Sequence, residues 1–394
     1  MNTLNFKSQE FWDFLNTQGS EELSLYIHIP FCEQKCLYCD FYSEVSKSDT
    51  HSMYVDSLIN ELSEYKDYLS NKKIVSIFIG GGTPSAISPT LIRKFMSYLK
   101  SIAFISEDCE ITTESNPNSL SDNSIKTYIE SGINRISMGA QSFNDKILKT
   151  IGRIHTADQI YKAIDLLQAN DFKNFNLDLM LALPGQTISD IEKSIEIIKK
   201  YDVPHISYYS LILEEGTPLY KNMHLYNFPD EISDRKMYRF VVDELEKLGL
   251  KQYEISNFSK NNFECKHNLR YWKLKDYIGI GCSAQSNIGN IRYSNVTSLK
   301  NYLKNKNDYV FEKLNKIERL NEYNMLGLRL NSGIEIEDVN FKFNIDFEKE
   351  YHDVIIKNIE NKLITLNNGI IKLTNHGKDL SNVVELDFTR IPCN

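Results

Sequence analysis

Residues 24–41 read SLYIHIPFCEQKCLYCDF, and this stretch decides the fold. Its beginning, SLYIHI, is a short apolar run rich in β-branched and aromatic residues, which is typical of a buried strand. Three cysteines with the spacing Cys-x3-Cys-x2-Cys follow directly, at Cys32, Cys36 and Cys39. The sequence therefore predicts a strand whose carboxyl end carries a group of thiols.

Strands of the same kind recur along the chain and alternate with segments of helical spacing. Six strand–helix units in sequence predict a parallel sheet with helices packed outside it, either as an open doubly wound sheet or as a complete or partial barrel. A seventh extended run, 252–258, can pair at a sheet edge. The predicted strands are 24–29, 74–79, 109–114, 134–141, 174–182 and 205–213, and the predicted helices are roughly 51–69, 89–101, 121–131, 156–169, 188–201 and 231–248.

The character of the chain changes after about residue 295, where it becomes polar and helix-prone. We predict a helix near 318–329, a second near 346–362, and a hairpin in LITLNNGIIKLT (363–374), whose Asn-Gly pair is a strong turn signal. Helices followed by a small hairpin suggest a winged-helix-like module, used for packing or a partner rather than for reading DNA. The predicted division is an N-terminal extension (1–22), a barrel domain (23–300) and a C-terminal domain (301–394).

Composition narrows the class of protein. The 394 residues contain 45 Lys and Arg against 53 Asp and Glu, a net charge of −8, which argues against general nucleic-acid binding. No apolar run approaches the roughly 20 residues that a membrane-spanning helix needs, and the N-terminus lacks the features of a secretory signal. We expect a cytoplasmic protein. Seven cysteines in such a location favour metal or redox chemistry over disulfides.

The cysteine trio allows three interpretations. Buried structural thiols are the simplest, but the charged and amide side chains between the cysteines are too polar for a buried stripe. A closed zinc site needs four ligands, and the fourth would have to be His28, Asp40 or a distant cysteine. A four-iron, four-sulfur cluster explains three ligands better, because three thiolates leave one iron open to a small molecule.

Polar residues follow the other predicted strands at the same end. Because the carboxyl ends of parallel barrel strands meet at one mouth, these residues are expected to share a site. Glycines permit close backbone approach, while carboxylate, amide and guanidinium groups suit a ribose diol and an amino-acid carboxylate. The residues in question are Gly80-Gly81-Gly82-Thr83-Pro84, Glu114, Gln141, Arg153 and Asp178.

A Cys-x3-Cys-x2-Cys motif after the first strand of a βα series resembles the radical S-adenosylmethionine superfamily. The resemblance implies a partial (β/α)6 TIM-like barrel and a 4Fe-4S cluster on Cys32, Cys36 and Cys39. It also implies S-adenosylmethionine bound to the open iron, whose reductive cleavage yields methionine and a 5′-deoxyadenosyl radical. In the coproporphyrinogen-oxidase-like branch, the matching positions that contact S-adenosylmethionine are Tyr26, Tyr38, Gly81, Gly82, Thr83, Glu114, Gln141, Arg153 and Asp178, with Ser210 and Gln285 less certainly aligned.

Two families of that branch compete, the oxygen-independent coproporphyrinogen III oxidase and a haem chaperone. The oxidase has a fourth cysteine two residues after the third, where this chain has Phe41, and a longer N-terminal arm. The chain also contains His267-Asn268-Leu269-Arg270-Tyr271-Trp272, which is similar to the HNxxYW signature of the chaperone. One departure is Gln285, where the chaperone family commonly has histidine.

The HNxxYW segment is a plausible haem site on chemical grounds. His267 can ligate iron, with Cys265 as an alternative thiolate ligand, and Tyr271 and Trp272 can cover a porphyrin face. Lys266 or Arg270 can pair with propionates. The simpler interpretation is that His267 and Trp272 anchor a loop beneath the barrel.

The resemblance thus implies a radical S-adenosylmethionine-type haem chaperone that binds haem b and delivers it to membrane-associated haem proteins such as respiratory enzymes. We expect it to be a monomer or dimer that contacts the membrane transiently. The alternative activity is oxidative decarboxylation of coproporphyrinogen III propionates. A structural zinc protein with an interaction wing is a third class.

Overall fold

The computed structural model describes residues 9–46, 48–304 and 309–390. The strands are β1 Glu22–Ile29, β2 Lys73–Gly81, β3 Phe104–Ser115, β4 Arg135–Gln141, β5 Phe175–Leu181, β6 His205–Ser210, β7 Lys251–Glu254, β8 Asn257–Ser259, β9 Tyr277–Ile280, β10 Gln285–Ile288, β11 Ile291–Ser294, β12 Val310–Lys313, β13 Ile334–Glu335, β14 Ile364–Asn367 and β15 Ile370–Leu373. The helices are α1 Gln9–Gln18, α2 Ser48–Glu64, α3 Lys66–Leu69, α4 Pro89–Ile102, α5 Asp122–Glu130, α6 Asp145–Thr150, α7 Ala157–Ala169, α8 Ile188–Lys200, α9 Pro218–Lys221, α10 Glu231–Lys247, α11 Lys266–Trp272, α12 Leu299–Tyr302, α13 Lys316–Leu328, α14 Ile336–Phe343, α15 Phe347–Glu350, α16 His352–Glu360, α17 Asn375–Asp379 and α18 Ser381–Asp387. Short 3-10 turns lie at Pro84–Ala86, Pro117–Ser119 and Met223–Leu225.

The six predicted core strands are present and form the centre of one sheet. Strands β1 to β6 lie side by side in chain order, and every neighbouring pair is parallel. Strand β1 pairs on its other side with β9, and β6 pairs with β8, so the first and sixth strands do not close on each other. The fold is a partial (β/α)6 barrel, which confirms the predicted class and excludes a closed barrel.

The helices that follow these strands pack their apolar faces onto the sheet, and α2, α4, α5, α7, α8 and α10 begin within three residues of the predicted starts. Ser121 and Thr156 each form a capping box with the third residue of α5 and α7. Such boxes satisfy amide groups that a helix end leaves without partners. Buried apolar residues from both layers form one continuous core.

Additional strands extend the sheet at both edges. The run predicted at 252–258 is a tight hairpin of β7 and β8, in which β8 pairs antiparallel with β6. On the other side β9 to β12 continue the sheet beyond β1, mostly as antiparallel pairs. These four strands were not predicted from the sequence, because each is only four residues long and β10 to β12 mix polar with apolar residues.

The C-terminal residues form a smaller module with its own apolar core. Its first helix, α13, and the hairpin β14–β15 confirm the winged-helix-like prediction. The residues at the hairpin tip, Asn368 and Gly369, have φ values of 52° and 73°, as a type I′ turn requires. The helix predicted near 346–362 is divided into α15 and α16, and the predicted domain boundaries stay a prediction. Within the described ranges, no helix is both long and apolar enough to span a membrane.

The buried carboxyl of Glu61 on α2 connects the barrel to the segment that carries β9 to β12. Its oxygens accept hydrogen bonds from the Gly281 amide (2.9 Å), the Asn295 side-chain amide (2.9 Å), and the Tyr302 and Tyr309 hydroxyls (2.6 and 2.7 Å). Burial raises the pKa of Glu61 to about 7, although the tyrosine and amide donors act in the opposite direction. One side chain thus joins helix α2 to three separate segments between residues 281 and 309.

We predict that Glu61→Leu lowers the free energy of unfolding by about 3 kcal/mol, because it removes the acceptor of four buried donors. The measurement is urea denaturation followed by circular dichroism. The control is Glu130→Leu, which removes one end of an exposed ion pair with Arg93 and should cost less than about 1 kcal/mol. Equal effects of the two substitutions would contradict the role assigned to Glu61.

Candidate functional site

A cavity of about 640 Å³ opens at the carboxyl end of the parallel strands. It is lined from every core strand, from Tyr26 on β1 to Ser210 on β6, so the sheet curves around it. Of the residues predicted from the sequence, thirteen line this cavity, namely Cys32, Cys36, Cys39, Tyr26, Tyr38, Gly81, Gly82, Thr83, Glu114, Gln141, Arg153, Asp178 and Ser210. Gln285, His267, Tyr271 and Trp272 do not line it.

The three cysteines lie on the loop after β1, and each is partly exposed to the cavity. The sulfur of Cys32 is 3.5 Å from the Thr83 hydroxyl, and the Arg153 guanidinium donates to the sulfur of Cys36 over 3.4 Å. In residues 9–46, 48–304 and 309–390, no three His, Cys, Asp or Glu side chains converge closely enough to hold a single metal ion.

The glycine run after β2 lets the cysteine loop lie directly against the sheet. The amide of Gly82 donates to Ile29 O (2.8 Å) and that of Thr83 to Phe31 O (2.7 Å). A Cβ atom at position 82 would lie 2.8 Å from Phe31 O, so only glycine fits there. Gly81 has φ of +115°, and its amide donates to the Glu114 carboxylate over 3.0 Å.

Two half-buried carboxyl groups, Glu114 and Asp178, face the cavity. Burial, together with the negative charge of Asp178, raises the pKa of Glu114 to about 8. Burial also raises the pKa of Asp178, although hydrogen bonds from Ser207, Asn176 and Ser137 oppose this shift. A cavity with two such groups favours a ligand that is cationic or donates hydrogen bonds.

The guanidinium of Arg153 lies between the cysteine loop and β4. One terminal nitrogen donates to Gly139 O (2.7 Å) and to the side-chain oxygen of Asn116 (2.6 Å), while the other points at Cys36. Its Nε atom is buried and has no partner among the described residues. This donor is therefore available to a ligand in the cavity.

Several cavity residues were not predicted. They include Asn116 and Tyr209, which are hydrogen-bonded to Arg153 and Gln141 respectively. His28, named from the sequence only as a possible zinc ligand, is hydrogen-bonded to Tyr26. Asn116 lies two residues after Glu114 in TTESNP, so its position next to a strand end was the one available signal.

The HNxxYW segment is helix α11, outside the cavity. His267 is fully buried, and its two ring nitrogens are hydrogen-bonded to the Ser76 hydroxyl (2.9 Å) and the Tyr271 hydroxyl (2.8 Å). Burial lowers the pKa of His267 to about 3, so the ring is neutral. Trp272 is half-buried and stacks under the Arg329 guanidinium of the C-terminal module, 4.9 Å from the ring centre.

Gln285 lies at the start of β10, where it is exposed and pairs through the backbone with Ser294. The predicted contact between Gln285 and S-adenosylmethionine thus gains no support from its position.

The chain resembles proteins of known family along most of its length. Residues 26–198 match the radical SAM superfamily, and residues 314–380 match the HemN C-terminal domain. A heme chaperone HemW of Lactococcus lactis is 37% identical over 369 residues, covering 92% of this chain and 96% of that protein. A heme chaperone HemW of Bacillus subtilis is 35% identical, covering 92% and 97%. The solved coproporphyrinogen III oxidase of Escherichia coli superimposes with a TM-score of 0.85 at 20% identity, covering 97% of this chain and 93% of that one.

We predict that S-adenosylmethionine binds more tightly as the pH rises towards 8. Glu114, with a pKa of about 8, is mostly protonated at neutral pH in the free protein, whereas ribose hydroxyls and a sulfonium favour its carboxylate. Binding then releases a proton, and affinity rises by up to about tenfold per pH unit below the free pKa. The measurement is anaerobic calorimetry between pH 6.5 and 8.5.

The control is Glu114→Gln, which cannot titrate. The amino group of the ligand titrates in both proteins and therefore cancels in the comparison. Identical pH slopes for the two proteins would show that Glu114 does not release a proton on binding.

Proposed function

The chain belongs to the HemW family of the radical SAM superfamily, and on that premise we propose that it is a haem chaperone that binds haem b and delivers it to membrane-associated haem proteins. The observation that carries this proposal is its identity of 35 to 37% with heme chaperones over more than nine-tenths of both chains. The HNxxYW segment at 267–272 supports it.

We assign the 4Fe-4S cluster to Cys32, Cys36 and Cys39. Three thiols on one loop at one cavity are the donor set of a cluster with an open iron. Thr83 and Arg153 supply hydrogen-bond donors next to the sulfurs of Cys32 and Cys36. When bound, such a cluster supplies one electron to S-adenosylmethionine.

We assign S-adenosylmethionine to the remaining cavity residues. The Gly81–Thr83 backbone and the unpartnered Arg153 Nε suit its amino-acid end, while Glu114 and Asp178 suit the ribose and the sulfonium charge. Tyr26, Tyr38, Gln141 and Ser210 line the walls of the cavity.

We assign haem to the α11 segment, with His267 as the proposed iron ligand. The neutral imidazole is the form that binds iron. Ligation would require His267 to exchange its hydrogen bond with Tyr271 or Ser76 for the metal, so the proposal implies that α11 moves when haem binds.

The cellular setting is part of the same proposal. We place the protein in the cytoplasm, as a monomer or dimer, with transient membrane contact during delivery. The acidic net charge of −8 favours a brief encounter over stable attachment to an anionic membrane surface. We retain the predicted division into an extension (1–22), a barrel domain (23–300) and a C-terminal domain (301–394).

The oxidase alternative shares the fold but not the local chemistry. Two residues after Cys39, where the oxidase has a fourth cysteine, this chain has Phe41, which is 67% exposed. Similarity at 20% identity to the solved oxidase establishes a common fold only.

We predict that the anaerobically reconstituted protein holds about four iron atoms per chain and that Cys36→Ala loses the brown, reducible cluster. The measurements are iron content and visible absorption. Cys109→Ala is the matched control, because Cys109 is a buried thiol on β3 away from the cavity and should retain the cluster. Equal iron in all three proteins, or zinc in place of iron, would remove the cluster assignment.

We predict that wild-type protein shifts the Soret band of added haem with saturable 1:1 stoichiometry and that His267→Ala abolishes this shift. The control is His352→Ala, an exposed histidine at the start of α16, which should bind haem like the wild type. Melting temperatures of both variants establish that they are folded.

An unchanged Soret shift in His267→Ala would exclude His267 as the ligand. Turnover of coproporphyrinogen III by the wild type with S-adenosylmethionine and dithionite would establish the oxidase instead.

A further inference from the structure

A chain of hydrogen bonds joins two of the three cysteines through a residue that no sequence motif singled out. Starting from Cys32, it passes to the Thr83 hydroxyl (3.5 Å), then to the side-chain amide of Asn116 (3.4 Å). The oxygen of the same amide accepts from Arg153 (2.6 Å), and Arg153 donates to Cys36 (3.4 Å). Asn116 is therefore the centre of a bridge between Cys32 and Cys36.

The donor directions along the bridge are consistent. Asn116 Nδ2 donates to Thr83, which leaves the Thr83 hydroxyl proton free to donate to the sulfur of Cys32. On the other side, Asn116 Oδ1 accepts one Arg153 nitrogen, and this fixes the guanidinium plane so that the other terminal nitrogen points at Cys36. Both ends of the bridge thus direct a proton at a sulfur.

Asn116 is itself held from behind. Its backbone amide donates to the Ser85 hydroxyl (3.0 Å), and its carbonyl accepts from the Ser119 hydroxyl (2.8 Å) in the 3-10 turn that follows β3. These bonds use only the backbone of Asn116, so its side chain can be shortened without removing the contacts that shape the turn.

We propose that Asn116 is a positioning residue that sets the reduction potential of the cluster by orienting the hydrogen-bond donors of Cys32 and Cys36. This inference rests on the proposed assignment of the cluster to these cysteines. A hydrogen bond donated to a ligating sulfur stabilises the more negative, reduced state of a cluster and so raises its potential. Loss of the Asn116 side chain releases both donors and should make the cluster harder to reduce.

The test is Asn116→Ala in the reconstituted protein, with the midpoint potential followed by electron paramagnetic resonance of the reduced cluster. The expected result is a midpoint more negative than in the wild type, with unchanged iron content and melting temperature. Asn118→Ala is the matched control, because Asn118 lies in the same turn and its amide donates to Glu33 rather than to the bridge. It should leave the midpoint unchanged.

A double substitution tests whether the effect of Asn116→Ala on the midpoint potential passes through Arg153. In an Arg153→Met background the Arg153 half of the bridge is already absent, so Asn116→Ala should add less to the shift than it does in the wild type. If Asn116→Ala fails to fold, Thr83→Val tests the other half, because it removes the donor to Cys32 alone and should shift the midpoint in the same direction.

The possible results distinguish a failure of the cluster assignment from a failure of the role proposed for Asn116. A wild-type protein that assembles no cluster overturns the proposed function and this inference with it. A wild-type cluster whose midpoint is the same in Asn116→Ala and Asn118→Ala, or in Thr83→Val if Asn116→Ala does not fold, overturns the inference alone.

Discussion

The site depends on the parallel pairing of the first two strands. The register that places Ile29 beside Gly81 carries the chain on to Phe31 and Gly82, where the backbones come so close that no side chain fits between them. The cysteine loop therefore begins at a fixed point on a rigid sheet rather than on a free loop. Because a parallel sheet brings all strand ends to one side, the same pairing also brings Glu114, on the next strand, within hydrogen-bond distance of Gly81.

Below the cavity, a chain of hydrogen-bonded polar side chains continues into the barrel interior. Asp178 accepts a hydrogen bond from the side-chain amide of Asn176, and the amide oxygen of Asn176 is hydrogen-bonded to His205. The other ring nitrogen of His205 is hydrogen-bonded to the Tyr253 hydroxyl, which accepts a hydrogen bond from the backbone amide of Cys265. Each bond is between 2.7 and 3.2 Å, so the members satisfy one another and the cost of burying them is offset. The chain of contacts connects the floor of the cavity with the residue that precedes α11, so the two proposed binding regions are linked by one polar network.

The sequence predicted the parallel strands of the barrel better than the contacts of the site residues. Hydrophobic patterning places the six parallel strands correctly because buried strands leave a strong local pattern, and strand ends converge by topology alone. Asn116 and Tyr209 escaped prediction because their roles are set by partners distant in sequence, Arg153 and Gln141. The chemistry of His267 suggested an accessible ligand, whereas tertiary contacts with Ser76 and Tyr271 occupy both of its nitrogens.

The charge balance of the cavity explains why one cationic ligand suits it better than a neutral one. Two half-buried carboxyls with raised pKa values face it, and the Arg153 guanidinium is engaged with Asn116, Gly139 and Cys36. Arg153 therefore interacts with the thiol side of the site, whereas the charge of Arg135 lowers the pKa of Asp178 only in part and the charge of Asp178 raises that of Glu114. A ligand that carries a positive charge near Glu114 and Asp178 and a carboxylate near the Arg153 Nε supplies a partner to both sides of the cavity. S-adenosylmethionine, with its sulfonium and amino-acid groups, has this distribution of charge.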